Sequence, residues 1–282
     1  MNTPLHFAVM GNPIKHSYSP LLHALFAKQA GLDIHYEKVL VPIEEFEPAV
    51  QTFFEQGGKG LNITVPFKLR AYELAKANLS PRAQSAGSVN TLWMEDGNLH
   101  GCNTDGIGMV NDIQRQGIDL KNKKILLLGA GGAARGVILP LLETGCRQLL
   151  IVNRTVTKAS ELVAQCLTGL PQYADVLSAG SFEQIQDQWD IVINATSSSL
   201  QQNALPLPVG LFTTNSLAYD MVYTPENDTP FLQQARKDGA TVASDGLGML
   251  VYQGAESFFI WHHVRVNPVP VLDALRQQLV TG

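Results

Sequence analysis

A glycine-rich run, GAGGAA at residues 129–134, has a spacing that could hold a dinucleotide. In a G-x-G-x-x-A pattern the glycines permit a tight turn and let backbone N–H groups approach a pyrophosphate, which the N-terminus of the following helix stabilises. The apolar run ILLL at 125–128 precedes the glycines, and a helix-compatible run follows them. A glycine-rich turn without a ligand is the alternative, but the strand, turn and helix order favours a dinucleotide site.

The next apolar run ends at Val152-Asn153-Arg154-Thr155, and it has no carboxylate at that end. An NAD site usually places Asp or Glu there to bind the ribose hydroxyls. The Arg154 guanidinium can instead bind a 2′-phosphate, while Asn153, Thr155 and Lys158 add hydrogen-bonding groups and positive charge. A solvated surface arginine is the alternative for Arg154. The pattern predicts NADP rather than NAD.

Hydroxyl and amide side chains collect at three points of the first 105 residues, each after a predicted strand. Ligands bind at the carboxyl ends of strands in open α/β sheets, so these clusters suit a small polyhydroxylated molecule. Any one residue could instead cap a helix or form a turn, but the repetition favours a binding site. The clusters are Ser17-Tyr18-Ser19, Asn62 with Thr64 and Lys68, and Asn90-Thr91 followed by Asn103-Thr104-Asp105.

Lys68 and Asp105 are the ionisable pair in these clusters. A carbonyl that is reduced by hydride needs a proton for the emerging alkoxide, and a lysine in a cleft can donate and recover one. An aspartate nearby would orient the lysine and bind a substrate hydroxyl. A surface ion pair of little energetic value is the alternative.

Short apolar runs alternate with amphipathic stretches, which predicts an α/β fold with mostly parallel sheets. Ser19-Pro20 is typical of an N-cap and first helical turn, and Pro66 can open a helix in the same way. Glu95-Asp96-Gly97-Asn98 predicts a hairpin because Asp-Gly tolerates positive φ. A second α/β series starts at Lys124. We place a domain boundary within residues 103–120 and expect the last thirty residues to pack on the first domain.

The composition argues against some classes of partner and of site. The 282 residues are 45% hydrophobic and carry a formal net charge of −5, which gives no electrostatic reason to expect a nucleic acid or membrane partner. Cys102, Cys146 and Cys166 lack metal-ligand spacing, so we expect three free thiols in a reducing compartment and no metal site. The N-terminal residues do not form a signal peptide pattern and no apolar run is long enough to span a membrane, so we expect a cytoplasmic protein.

The motifs together resemble those of the shikimate dehydrogenase family. The resemblance implies a reversible, NADPH-dependent reduction of 3-dehydroshikimate to shikimate in aromatic amino-acid biosynthesis. It also implies a substrate domain at 1–104, to which helices at 252–282 return, and a Rossmann NADP-binding domain at 105–251. The matching stretches are GNPIKHSYSP, LNITVPFK, AGSVNTL, NTDG, GAGGAA, NRT with Lys158, NATS, DMVYTPENDTPFL and GLGMLVYQGAESFFIW.

The resemblance also implies site residues. Lys68 and Asp105 would be the catalytic pair. The residues that would hold the substrate carboxylate and hydroxyls are Ser17, Ser19, Asn62, Thr64, Lys68, Asn90, Asp105, Tyr223 and Gln253. The residues that would contact the cofactor are Gly129, Ala130, Gly131, Gly132, Ala133, Asn153, Arg154, Thr155, Lys158, Ala195, Thr196, Ser197, Met221, Gly246 and Met249.

The chain departs from the family pattern at two points. Ser198-Ser199-Leu200 stands where the family usually has a glycine and a methionine, and Ser88 stands where alanine is usual. The first change lies after the NATS motif and could alter the loop near the nicotinamide.

Two other functions compete with this one. A quinate/shikimate dehydrogenase that also uses NAD is the first, and the missing carboxylate after Val152 argues against it. A catalytically silent NADPH-binding sensor is the second, and the presence of both Lys68 and Asp105 argues against that. We expect a monomer or a homodimer with a small-molecule substrate.

Overall fold

The computed structural model describes residues 4–201 and 203–281 and divides into two compact units. The first contains residues up to Gly108 together with Leu250–Ala274, and the second contains Met109–Met249 together with the residues from Leu275. The chain thus passes from the first unit to the second within the helix Asp105–Arg115 and comes back within the helix Leu247–His262.

The first unit contains a five-stranded sheet. Its strands are β1 (Leu5–Gly11), β2 (Ile34–Leu40), β3 (Gly60–Ile63), β4 (Thr91–Glu95) and β5 (Asn98–Cys102), in the order β2-β1-β3-β4-β5. Strands β2, β1 and β3 are parallel, while β4 and β5 form an antiparallel hairpin. Asp96 and Gly97 join the hairpin with φ of 50° and 75°, which confirms the predicted tight turn.

Helices of the first unit cover this sheet. They are α1 (Ser19–Ala30), α2 (Phe46–Glu55), α3 (Lys68–Leu74) and α4 (Pro81–Ala86). Phe46 and Phe67 stack with ring centroids 4.6 Å apart in a core under β1 and β3 that also includes Leu61 and Ile63. Burial of these large apolar side chains is the main force that holds α2 and α3 in place.

Two predicted helix starts in this unit are wrong. Ser19 is the first helical residue of α1 and Tyr18 is the cap residue, because the Ser17 Oγ already accepts a hydrogen bond from the Ser19 N–H at 3.3 Å. Pro66 does not open α3, which begins at Lys68, because the chain first makes a turn in which the Phe67 N–H donates to the Thr64 carbonyl.

The second unit contains a six-stranded parallel sheet. Its strands are β6 (Lys124–Leu128), β7 (Gln148–Val152), β8 (Leu177–Gly180), β9 (Trp189–Asn194), β10 (Phe212–Asp220) and β11 (Val242–Ser244), in the order β11-β10-β9-β6-β7-β8. Counted from β6 within the unit, this is the order 6-5-4-1-2-3 of a Rossmann sheet. The prediction of an α/β fold with a Rossmann-type domain is confirmed.

Both faces of this sheet are buried. Ile125 and Leu127 of β6 lie in one apolar cluster, while Leu126 and Leu128 lie in the other. Because side chains alternate along a strand, a continuous apolar run such as ILLL fits a strand with helices on both sides.

The remaining helices are α5 (Asp105–Arg115), α6 (Gly132–Glu143), α7 (Val156–Gly169), α8 (Pro230–Lys237), α9 (Leu247–His262) and α10 (Val269–Thr281). Within the first unit, the C-terminal part of α9 packs on the sheet, where Trp261 Nε1 donates to the Leu92 carbonyl at 3.2 Å and Phe7 stacks on the Trp261 ring. Of the C-terminal residues, Leu250–Ala274 belong to the first unit and those from Leu275 to the second, so the predicted return of all of 252–282 to the first domain stays a prediction.

The three cysteines are free and buried, as predicted. Among the described residues, no helix combines the length and apolar character that a bilayer-spanning segment requires.

Candidate active site

The glycine run of the second unit forms the turn between β6 and α6. Gly129 has a φ of 107°, and a Cβ there would lie 3.1 Å from Thr196 Cγ2, so both conformation and space favour glycine. A Cβ at Gly131 or Gly132 would meet nothing within 4 Å. These two glycines therefore leave the N-terminus of α6 open to a ligand, as a pyrophosphate requires.

A cleft of about 860 Å³ lies at this turn. It brings together twelve of the residues predicted to contact the cofactor, which follow the ends of β6, β7 and β9. They are Gly129, Ala130, Gly131, Gly132, Ala133, Asn153, Arg154, Thr155, Lys158, Ala195, Thr196 and Ser197. The volume suits a small-molecule ligand.

Other residues of the cleft were missed by sequence reasoning. They lie in parts of the connections after β8 and β9 that carry no motif, so only the three-dimensional structure finds them. They are Phe182, Glu183, Gln201, Asn203, Ala204, Leu205 and Pro206, while Ser198, which also lines the cleft, belongs to the stretch noted after the NATS motif.

Arg154 and Lys158 supply positive charge to the lining of the cleft. Both are exposed residues that follow β7. Asn153 Nδ2 donates to the Thr155 carbonyl at 2.9 Å, and this bond shapes the turn that carries Arg154. Within the described parts of the chain, no carboxylate forms an ion pair with Arg154. Its guanidinium is therefore available to a phosphate.

A buried carboxylate, Asp220, holds the loop after β9. Its Oδ2 accepts hydrogen bonds from Ser199 Oγ and Thr229 Oγ1, both at 2.5 Å, and its Oδ1 accepts one from Asn194 Nδ2 at 3.2 Å. Burial raises the pKa of Asp220, while these donors act in the opposite direction. Ser199 belongs to the stretch Ser198-Ser199-Leu200, so this stretch is tied to the buried carboxylate.

Three predicted cofactor residues lie beside the end of β10 and outside the cleft lining. The Met221 N–H donates to the Asn194 carbonyl at 3.0 Å, and a Cβ at Gly246 would come within 2.3 Å of the Met221 carbonyl oxygen. Met249 N donates to the buried Tyr219 hydroxyl at 3.2 Å. Tyr223, predicted to bind substrate, follows β10 and is half-buried in this unit. A direct ligand contact for these residues stays a prediction.

In the first unit, Lys68 Nζ donates to Asp105 Oδ2 at 2.6 Å. Lys68 is the first residue of α3 and Asp105 is the first residue of α5, and their side chains keep 30% and 19% of their surface exposed. A partly buried, charge-assisted hydrogen bond of this length fixes the ammonium group while leaving it accessible to a ligand. The pair can therefore hold or deliver a proton at a bound molecule.

The amide of Asn90 positions Asp105. Asn90 is 2% exposed, and its Nδ2 lies within hydrogen-bond distance of three acceptors that share its two hydrogens: Asp105 Oδ1 and Thr104 Oγ1, each at 2.9 Å, and Gln253 Oε1 at 3.2 Å. Its Oδ1 accepts from the Thr104 N–H at 2.9 Å. The structure thus brings Lys68, Asn90, Asp105 and Gln253 together.

A second polar group of this unit contains the two predicted serines. Ser17 Oγ donates to Ser19 Oγ at 3.1 Å. Asn62 lies nearby in the network and donates to the Asn90 carbonyl at 3.2 Å, so it connects to the Lys68 and Asp105 pair. Thr64 is half-buried just beyond β3, where its N–H donates to the Met10 carbonyl.

Sequence reasoning missed two residues that contact Asn62. His23 of α1 and Tyr36 of β2 both reach its amide oxygen, at 3.1 Å and 2.7 Å. No motif in the sequence marks these two residues. Burial lowers the pKa of His23 to about 3, so its ring is neutral in the folded protein near pH 7.

Known proteins resemble the chain over nearly its whole length. Three family models match it: "Shikimate dehydrogenase substrate binding domain" at residues 9–92, "Shikimate / quinate 5-dehydrogenase" at 112–202, and "Shikimate 5'-dehydrogenase C-terminal domain" at 246–276. The shikimate dehydrogenase (NADP(+)) of Bordetella avium is 53% identical over 275 residues, which cover 97% of this chain and 96% of that protein. The chain belongs to the shikimate dehydrogenase family.

Solved structures also resemble the chain. The Thermus thermophilus enzyme in complex with NADP(H) and shikimate has a TM-score of 0.84 and 35% identity, and the match covers 97% of this chain and 99% of that one. An Ael1 enzyme from Pseudomonas putida has a TM-score of 0.89 and 42% identity over 96% and 98% of the two chains. The predictions of the family, of an NADP-dependent enzyme and of the fold class are confirmed.

The neutral state of His23 makes the stability of this shikimate dehydrogenase-family chain depend on pH. The unfolded histidine takes up a proton below its usual pKa of about 6.5, whereas the folded one does not until about pH 3. The unfolded state therefore binds more protons in this window, and the free energy of unfolding falls as pH falls. We expect His23 to contribute a slope of up to about 1.4 kcal/mol per pH unit below pH 6.

Denaturant unfolding of wild-type and His23→Gln proteins between pH 5 and 7 measures this slope. The variant should show a shallower slope than the wild type. His16→Gln, at an exposed residue, is the matched control and should keep the wild-type slope. Equal slopes for all three proteins would show that His23 is protonated in the folded state.

Proposed function

We propose that the protein catalyses the reversible, NADPH-dependent reduction of 3-dehydroshikimate to shikimate, with Lys68 and Asp105 as the acid–base pair. The observation that carries the proposal is the 2.6 Å contact of Lys68 Nζ with Asp105 Oδ2, at the edge of a buried amide and hydroxyl network. The names of the relatives, shikimate dehydrogenase (NADP(+)), support the same substrate and cofactor.

The second unit supplies the groups for NADP(H). The open glycine turn at 129–132 suits the pyrophosphate, and Arg154 with Lys158 suits the 2′-phosphate. When bound, NADPH supplies the hydride. Side chains of the protein must donate the proton and orient the substrate.

Lys68 supplies the proton that reduction of the ketone needs. As a ketone carbon accepts hydride, negative charge develops on its oxygen, and the Lys68 ammonium donates a proton to that oxygen. The neutral amine then regains a proton from solvent, and the reverse direction uses it as a base. Asp105 accepts hydrogen bonds from Lys68 and from Asn90, so it keeps the ammonium group in one position.

The charge of Asp105 also orients the substrate. A substrate carboxylate is repelled by the Asp105 carboxylate and is favoured where uncharged donors gather. Ser17 and Ser19 offer hydroxyl donors next to each other, while Gln253 and Asn90 offer amides beside the acid–base pair. We therefore assign the substrate carboxylate to the serines and the reacting hydroxyl to Lys68.

Replacement of Lys68 tests the catalytic assignment. Lys68→Ala should lower kcat by roughly two to four powers of ten, the usual contribution of a general acid–base group. NADPH should still bind, because the groups of the cofactor cleft lie in the second unit. Steady-state turnover and fluorescence titration with NADPH measure the two effects.

Lys76→Ala is the control for this change, because Lys76 is an exposed lysine of the same unit that pairs with Glu73 three residues earlier. It should keep wild-type turnover. Wild-type kcat in Lys68→Ala would remove Lys68 from the mechanism.

Replacement of Arg154 tests the cofactor assignment. Arg154→Ala should raise the KM for NADP⁺ by about 10- to 100-fold, because a charge-assisted contact to phosphate contributes about 1.5–3 kcal/mol. The KM for NAD⁺, which has no 2′-phosphate, should change little. Arg147→Ala is the matched control, because Arg147 is an exposed arginine that precedes β7 at its other end. An equal effect of Arg154→Ala on both cofactors would contradict the phosphate role.

A further inference from the structure

Three side chains that can bind a metal ion lie together on the sheet of the first unit. His6 of β1 and His35 and Glu37 of β2 each offer one ligand atom, and these three atoms all lie within 4.8 Å of one another. His6 Nε2 is 2.7 Å from Glu37 Oε1, and the rings of His6 and His35 have centroids 5.2 Å apart. Two imidazoles and one carboxylate are ligands that Zn²⁺ accepts together, with water in the fourth position of the tetrahedron.

The register of β1 and β2 places these side chains next to each other. The two strands are parallel, and His6 pairs directly with His35. Glu37 is two residues further along β2, so its side chain lies on the same face of the sheet as that of His35. The backbone hydrogen bonds of the sheet therefore set the spacing of the three ligands, as in a site built on rigid elements.

Packing holds one of the ligands, and all three are accessible. The His6 ring packs on the Phe53 ring of α2 with centroids 4.9 Å apart, and the His6 carbonyl accepts a hydrogen bond from the Lys59 N–H at 2.8 Å. His6 and Glu37 keep 32% and 43% of their side-chain surface exposed, and His35 is exposed. An ion can therefore reach the group from solvent.

The separations suit a small ion with four ligands. Zinc bonds of roughly 2.0–2.1 Å place the ligand atoms of a tetrahedron roughly 3.4 Å apart. This separation lies between the 2.7 Å contact of His6 with Glu37 and the 4.8 Å limit for the group, so rotation of side chains suffices to form the site. An ion bound by His6 Nε2 and Glu37 Oε1 would take the place of the proton between them, and the neutral imidazole would carry its hydrogen on Nδ1.

We propose that His6, His35 and Glu37 form a zinc site that ties the edge strand β2 to β1. Within the described residues β2 lies at the end of the sheet and pairs with β1, so a metal link adds a second connection between these two strands. A ligand that binds the folded protein alone stabilises it. The expectation of no metal site followed from the cysteines, whereas His6 and Glu37 are 31 residues apart and meet only through the pairing of β1 with β2.

The zinc site lies on the face of the sheet opposite to Asn62. Asn62 pairs with Val9 of β1, which is three residues after His6. Since side chains alternate along a strand and paired residues share a face, the His6 and Asn62 side chains lie on opposite faces. The site uses no residue that we propose to bind substrate or cofactor. Loss of a zinc ligand should therefore leave kcat and the KM for shikimate at wild-type values.

Calorimetric titration of Zn²⁺ into the purified protein, after dialysis against a chelator, measures the site. We expect the wild type to bind one equivalent with a Kd on the order of micromolar. His35→Gln should weaken binding by more than about 100-fold, because replacement of a residue that only supports a metal ligand already costs about 10- to 100-fold. His100→Gln is the matched control and should keep wild-type affinity, because His100 is a histidine of the same unit whose Nδ1 lies 4.0 Å from the Glu95 carboxylate.

Two further measurements distinguish this site from loose binding at the surface. Co²⁺ in place of zinc should show the intense visible absorption of a four-coordinate ion in the wild type and in His100→Gln, but not in His35→Gln. Saturating Zn²⁺ should raise the thermal unfolding midpoint of the wild type by about 5 °C and that of His35→Gln much less. Equal zinc affinities of the wild type and His35→Gln, or the weak spectrum of a six-coordinate cobalt ion, would overturn the inference. Either result leaves the proposed function intact, because shikimate oxidation is measured separately.

Discussion

The buried amide of Asn90 is the constraint on which the candidate active site depends. A polar group that is removed from water costs free energy unless each of its hydrogen-bonding atoms finds a partner. Asn90 satisfies this requirement with Thr104, Asp105 and Gln253, which lie at the start of α5 and within α9. The same bonds that satisfy the amide therefore fix the Asp105 carboxylate, and Asp105 fixes the Lys68 ammonium. Movement of Asp105 would leave the buried Asn90 amide without a hydrogen-bond partner, and the free-energy cost of that loss keeps the carboxylate in place.

The two units are built on different kinds of sheet. The second unit buries apolar side chains on both faces of six parallel strands, and a glycine turn and two strand ends form one cleft, which we propose holds the dinucleotide. The first uses a mixed sheet and buries hydroxyls and amides beside it, which suits a small polar substrate. In the second unit the residues that line the cleft follow the carboxyl ends of parallel strands, whereas in the first unit Asn90 precedes the antiparallel strand β4 and Gln253 lies in α9.

Much of the fold could be predicted from the sequence because several elements depend on short stretches of neighbouring residues. The run ILLL before GAGGAA and the Asp96-Gly97 turn depend on residues that are neighbours in the chain, and both elements form as expected. The partners of Asn62 could not be predicted in this way. His23 and Tyr36 are 39 and 26 residues away, and their approach depends on how α1 packs on β1 and β2. The helix start at Lys68 instead of Pro66 was missed because a tertiary turn outweighed the local preference of proline.

The central claim is that the chain couples shikimate oxidation to NADP⁺ reduction through these two sets of residues. The most direct measurement is the near-ultraviolet absorbance of reduced nicotinamide when purified protein is mixed with shikimate or quinate and with NADP⁺ or NAD⁺, in all four combinations. We expect fast reduction with shikimate and NADP⁺ and much slower reduction in the other three combinations. No reduction in any combination, by a protein that still binds NADPH, would contradict it.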